Sequence, residues 1–150
     1  MWSYPKAVDD EEETIFNMVN ALLLRIHLSG RVLELGERCF GRIEEGVALY
    51  REIRADIRIG LPFWPLGLPR WGDGWLAFGL DAGARSYLAV WRLDGKRRCE
   101  ISLPGWKARK GRPKCIYPRK VAECARWNAR EGTLEVTLAK PYSARLFRVD

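Results

Sequence analysis

Between residues 15 and 26 the apolar side chains fall at steps of three and four: Ile15, Met18, Val19, Leu22, Leu23 and Ile26. That spacing places them on one face of a helix, and Phe16 and Leu24 widen the stripe. Asp9 or Asp10 can cap the helix, with Glu11, Glu12 and Glu13 opposing the positive end of its dipole. Ser29-Gly30 supplies a stop, so the pattern predicts a helix over residues 10–28. A helix this broadly apolar is normally covered on more than one flank. Little sequence precedes it, and the chain reads as the tail of a larger enzyme. The expectation is that Ile15, Phe16, Val19, Leu22, Leu23 and Ile26 cannot all be buried by 150 residues. The patch left over would promote self-association through the 10–28 face.

A second helix is predicted from Glu37 to Asp56, with Ile43, Val47, Tyr50 and Ile53 inward and Ile57 continuing the stripe; Gly41 and Gly46 weaken it. Leu61-Pro62-Phe63-Trp64-Pro65-Leu66-Gly67-Leu68-Pro69 then excludes regular helix and central strand, because its prolines remove donors and fix φ. Its apolar content predicts an ordered, aromatic-packed connector. From Trp75 the period becomes two. Candidate strands are 75–81, 85–93, 99–103, 120–127, 133–139 and 144–149, several of them separated by turns such as Asp94-Gly95 and Glu131-Gly132. Six short strands predict an antiparallel β-sandwich. The charge shifts at the same place. Residues 1–60 carry a formal −3 and residues 61–150 carry +10, within a total of +7. The chain is therefore divided at 60/61.

Cys39, Cys99, Cys115 and Cys124 form no CxxC pair and His27 is the sole histidine, so neither a metal site nor a cofactor is expected. No apolar run is long enough for a bilayer, and the N-terminus lacks the basic and apolar regions of a signal peptide. Reduced thiols in a cytoplasmic protein are the simplest reading.

WSYP, an acidic helix start, MVNALLLRIH, SG, an EG-containing helix, PFWPLGL, YLAVWR and a closing KPYSARLF follow one another in order. Together they resemble the C-terminal part of glycoside hydrolase family 36, the α-galactosidases. The resemblance runs from Trp2 to Val149 and is weakest across Leu103 to Cys124. It implies an α+β chain: two terminal helices of an incomplete (β/α)8 barrel (1–60), then a C-terminal antiparallel β-sandwich (61–150). Trp2-Ser3-Tyr4 would lie near the end of the final barrel strand, where barrel active sites sit. Trp2, Ser3 and Tyr4 are thus candidate substrate-binding residues, although Trp2 and Tyr4 could equally pack under the barrel rim.

The family cleaves terminal α-galactosides with retention, using two aspartates that flank the scissile bond about 5 Å apart. Both belong to motifs with no counterpart in this sequence. No catalytic residue is therefore assigned, and the chain alone is expected to be inactive unless a barrel portion completes it. Asp9 to Glu13 reads as cap and dipole compensation rather than as a catalytic pair. His27 reads as a helix-end charge or a packed residue.

Two other functions compete. In one, the β-domain braces a barrel or binds carbohydrate, according to whether Trp71, Trp75, Trp91, Trp106 and Trp127 point inward or present coplanar exposed rings. In the other, the basic 107–120 segment, with Trp106 and Tyr117 nearby, binds nucleic acid. A long exposed hairpin loop is the simpler reading of that segment.

Overall fold

The computed structural model describes residues 2–150. The first strand, β1 (Trp2–Ser3), leads into α1 (Glu11–Leu22), and β2 (His27–Leu28) returns parallel to β1, pairing Trp2 with His27 and Ser3 with Leu28. This is a β-α-β unit, and among the described residues neither short strand pairs on its other side. A 3-10 turn (Val32–Glu34) precedes α2 (Glu37–Ile59). The remaining strands are β3 (Leu61–Phe63), β4 (Trp75–Asp81), β5 (Ser86–Arg92), β6 (Arg98–Ser102), β7 (Lys114–Tyr117), β8 (Ala125–Asn128), β9 (Thr133–Thr137) and β10 (Ser143–Val149). They form an antiparallel five-stranded sheet, β3-β4-β5-β10-β7, and an antiparallel three-stranded sheet, β6-β9-β8. The chain is α+β.

Alternation along the central strands sets the layers. Tyr87 and Ala89 of β5 and Ala144 and Leu146 of β10 join Ile15, Met18, Val19 and Leu22 of α1 and Ile43, Leu49 and Ile53 of α2 in one core. Leu88, Val90, Phe147 and Val149 join Ile101, Leu134 and Val136 of the smaller sheet in a second. Residues on both sides of position 60 share the first core.

Helix α1 begins as its sequence dictates. Asp10 Oδ1 accepts from the Glu13 amide at 2.9 Å, and Glu13 Oε2 accepts from the Asp10 amide at 2.7 Å, a reciprocal capping box. Helix α2 runs through both of its glycines. At Gly46 α2 packs tightly on α1 and β7, because a Cβ there would lie 2.6 Å from Met18 Cε and 3.4 Å from Tyr117 Cε2.

Three expectations are corrected. First, α1 stops at Leu22, and residues 27–28 are strand, because pairing with β1 outweighs the local helical pattern. Trp2-Ser3 is accordingly followed by a second parallel strand. Second, Ile15, Val19, Leu22 and Leu23 are buried by the chain's own α2 and five-stranded sheet, and only Phe16 and Ile26 remain half-buried. The face of α1 therefore supplies no ground for a missing neighbour. Third, the basic segment contains strand β7, paired with β10, with Tyr117 inward; 120–124 is not strand, and β8 begins at Ala125.

Candidate functional site

An open groove of about 350 Å³ lies between α1 and the five-stranded sheet. Phe16 and Asn20 of α1 and Leu23 just after it form one wall, Leu76, Phe78 and Trp91 of the sheet another, and Trp2 and Trp64 also line it. The connector reaches the groove because β3 is an edge strand, the one place in a sheet where Pro62 costs no ladder hydrogen bond. Phe63 lies over Gly79, where an added Cβ would fall 2.1 Å from its ring, and Trp64 tilts against Phe78 at 5.6 Å between centroids. The connector is ordered and aromatic-packed.

The candidate substrate residues diverge. Trp2 is 68% exposed and stacks on His27 at 5.4 Å. Ser3 is fully buried, its Oγ 3.4 Å from Met18 Sδ beneath α1. Tyr4 is exposed and packs beside Gly30, whose φ of +90° suits a residue without Cβ. Trp2 and Tyr4 are thus accessible, whereas Ser3 faces inward.

The acidic cluster is occupied structurally. Asp9 Oδ2 accepts from the Lys6 amide at 2.8 Å and from Asn17 Nδ2 at 3.2 Å. Asp10 pairs with Lys140, whose ammonium holds the Asp10 carboxyl below its ordinary value, helped by the Glu13 amide. Glu11 binds Arg42 Nε at 2.7 Å. Glu12 takes both terminal nitrogens of Arg145, at 2.8 and 2.7 Å. These carboxylates clamp α1 to α2 and β10.

The tryptophans do not form an exposed coplanar set. Trp71 is fully exposed, whereas Trp106 is buried and donates to Ser86 Oγ at 2.9 Å. Trp127 tilts against Trp106 at 6.4 Å, and Trp75 donates to the Lys96 carbonyl at 2.9 Å. The Trp91 indole N–H is buried with no hydrogen-bond partner among the described residues. In the basic segment, Arg109 pairs with Asp81 at 2.7 Å and with the Gly83 carbonyl, and Arg119 grips Glu52 at 2.7 and 2.8 Å.

Among the described residues no group of His, Cys, Asp and Glu is placed to hold a metal, and no helix is long and apolar enough to cross a membrane. The groove offers one amide side chain, Asn20, and few other hydrogen-bonding groups. A sugar buried there would leave several hydroxyls unpaired, at about 1–3 kcal/mol each. An apolar surface suits it better. The sequence reading marked the Trp64 connector as aromatic-packed, but nothing in the pattern said that it meets α1 and the YLAVWR strand in a groove.

No family model matches this chain, and no curated protein matches it. Among solved structures it is similar to a variant of the GH36 α-galactosidase AgaA from Geobacillus stearothermophilus, in complex with 1-deoxygalactonojirimycin. The TM-score is 0.61 at 13% identity, over 89% of this chain and 19% of that one. The chain thus spans about a fifth of the length of that structure, and at this identity the likeness is one of fold.

Proposed function

We propose that this chain is the C-terminal portion of an α-galactosidase-like glycoside hydrolase, non-catalytic by itself, whose role is to complete and brace a barrel. In this reading β1, α1, β2 and α2 are the last barrel segments, and the two antiparallel sheets are a C-terminal sandwich. The observation that carries it is the parallel β1-α1-β2 unit, whose strands lack outer partners among the described residues, in a chain sharing its fold with about a fifth of an α-galactosidase. Parallel strands are stable when both neighbours and both faces are covered. Trp2, Leu28 and Tyr4, all exposed at this unit, are what such a cover would meet. The intact enzyme would cleave terminal α-galactosides with retention, its two carboxylates coming from the barrel portion. Trp2 and Tyr4 would contribute to the sugar pocket from the strand end, and Ser3 would support β1 from beneath.

The orientation of the tryptophans favours bracing over carbohydrate binding by the β-strands themselves. Trp106 is buried, Trp75 and Trp127 are half-buried, and the groove has few groups to satisfy a sugar.

The test is complementation. The purified chain, a candidate N-terminal barrel portion and their mixture are assayed on an aryl α-galactoside. Turnover is expected only from the mixture, and Trp2→Ala is expected to lower it about tenfold or more, through positioning. Turnover by the chain alone, or a mixture that forms a complex yet stays inactive, would overturn the reading.

A further inference from the structure

Among the described residues Tyr142 is the one residue other than glycine whose backbone lies in the left-handed region, at φ +54°. A residue with a Cβ is disfavoured there, and such strain persists only where the surroundings impose it. Here the turn before β10 imposes it. Ser143 Oγ donates to the Lys140 carbonyl at 2.9 Å, and the Lys140 ammonium pairs with Asp10 at the start of α1. The Tyr142 ring meets Phe16 of α1 edge-on, at 6.1 Å between centroids, yet the residue stays 61% exposed. The strained turn thus presents a large ring at the surface instead of packing it away.

Tyr142 and Tyr4, itself 54% exposed, line one recess of about 320 Å³. Tyr4 follows β1, and Asp9 and Glu13 of the recess belong to the start of α1, so the recess lies at the C-terminal end of β1. Its polar groups are mixed. The two tyrosine hydroxyls and the Lys6 ammonium, which also borders the recess, have no hydrogen-bond partner among the described residues. Asp9 Oδ2 accepts from the Lys6 amide and Asn17 Nδ2, and Glu13 Oε2 accepts from the Asp10 amide. Each carboxylate keeps its other oxygen to accept from a ligand, as does the Asn17 amide.

We propose that this recess binds one neutral pyranose unit, with Tyr142 as the stacking ring and Lys6, Asn17 and the two carboxylates as hydrogen-bonding partners. A pyranose has an apolar C–H face and a rim of hydroxyls that both donate and accept. Aromatic rings with a polar tip suit the face, and a mixed set of donors and acceptors suits the rim. The apolar groove beside α1 has the rings without the rim. One ammonium against two carboxylates leaves the recess net negative, which selects against uronic and phosphorylated sugars. In the reading proposed above, barrel active sites open on this side of β1, and the pyranose would be a substrate unit held apart from the cleaved bond. That role rests on the reading, whereas sugar binding by the chain alone does not.

The full chain, isotope-labelled, is titrated with methyl α-galactoside and, separately, with galacturonate, and its amide shifts are followed. Saturable shifts are expected at residues 4–6, 16–17 and 141–143, with a Kd of about 1–10 mM for a shallow site holding one sugar. Galacturonate should bind about tenfold more weakly or not at all. Tyr142→Gly adopts the same φ freely, so it should fold as the natural chain does by circular dichroism and bind about tenfold more weakly. Tyr142→Phe keeps the ring and should bind within about threefold of the natural chain. The absence of saturable shifts would overturn the proposal, as would shifts confined to the apolar groove. So would galacturonate binding as tightly as the galactoside, or a folded Tyr142→Gly that binds unchanged. Complementation requires the barrel portion and this titration does not, so each can fail without the other.

Discussion

Tyr87 is wholly buried between sheet and helix, and its hydroxyl donates to Asp56 Oδ2 on α2 at 2.5 Å. Asp56 also accepts from Arg85 at 3.0 Å, and the Tyr87 hydroxyl and Arg85 hold its carboxyl below the ordinary value. Burial, then the Asp56 carboxylate, push the phenol up to about 12. The neutral phenol is therefore the form that the fold favours. Its contribution is complete below pH 10, the unfolded value, and is lost as pH rises from 10 toward 12. Tyr87→Phe should cost about 1–2 kcal/mol at neutral pH, because a charge-assisted hydrogen bond is removed. The variant's loss of stability between pH 10 and 12 should also be shallower. Urea melts across that window check both, and an unchanged alkaline slope would contradict the assignment. Tyr117, also buried and pushed up, with its hydroxyl on the Arg42 carbonyl at 3.0 Å, retains the remaining slope.

Helix α1 is fastened by ions as well as by its apolar face: Glu11 to Arg42, Glu12 to Arg145, and Asp10 to Lys140. The Glu12–Arg145 pair is the most buried of the three, with side chains 28% and 10% exposed. Glu12→Ala leaves the Arg145 charge buried with the Ala144 carbonyl as its remaining hydrogen-bond partner among the described residues. The expected cost is about 2–4 kcal/mol, read from denaturant midpoints, since an orphaned buried cation costs more than the pair contributes. Glu12→Gln, which keeps an acceptor, should cost less; equal loss in both variants would contradict the ionic account. The start of α1 was legible in sequence because capping is local chemistry, and β4, β5, β6, β9 and β10 were legible because alternation is. Which cations the acids would meet was not, since Lys140 and Arg145 lie at the far end of the chain. Strand β2 was hidden because Ile26 continues the helical spacing of Leu22 and Leu23. Strand β7 was hidden because its lysine and glycine-proline surroundings read as loop. Trp2 and Tyr4 were legible only as neighbours in sequence, and Ser3 shows that a strand's alternation separates such neighbours by face.

At the scale of the molecule, α1 is covered from within, so the case for a partner rests on other features. The two-residue strands β1 and β2 have no outer partners among the described residues; exposed Trp2, Leu24 and Trp64 border the apolar groove beside α1, and Leu28 is exposed on β2. Large exposed apolar patches on monomers are uncommon and often mark interaction sites. In the proposed reading a barrel portion would pair both strand edges and shield these side chains, where the β1-α1-β2 unit meets the antiparallel sheets. Hydrogen–deuterium exchange reads that directly. In the chain alone, the amides of residues 2–4 and 27–29 should exchange fast, because short unflanked strands open locally. Adding a candidate N-terminal barrel portion should slow them about tenfold or more, together with residues 63–71. Exchange that is already slow in the isolated chain, or unchanged when the barrel portion is present, would contradict the account.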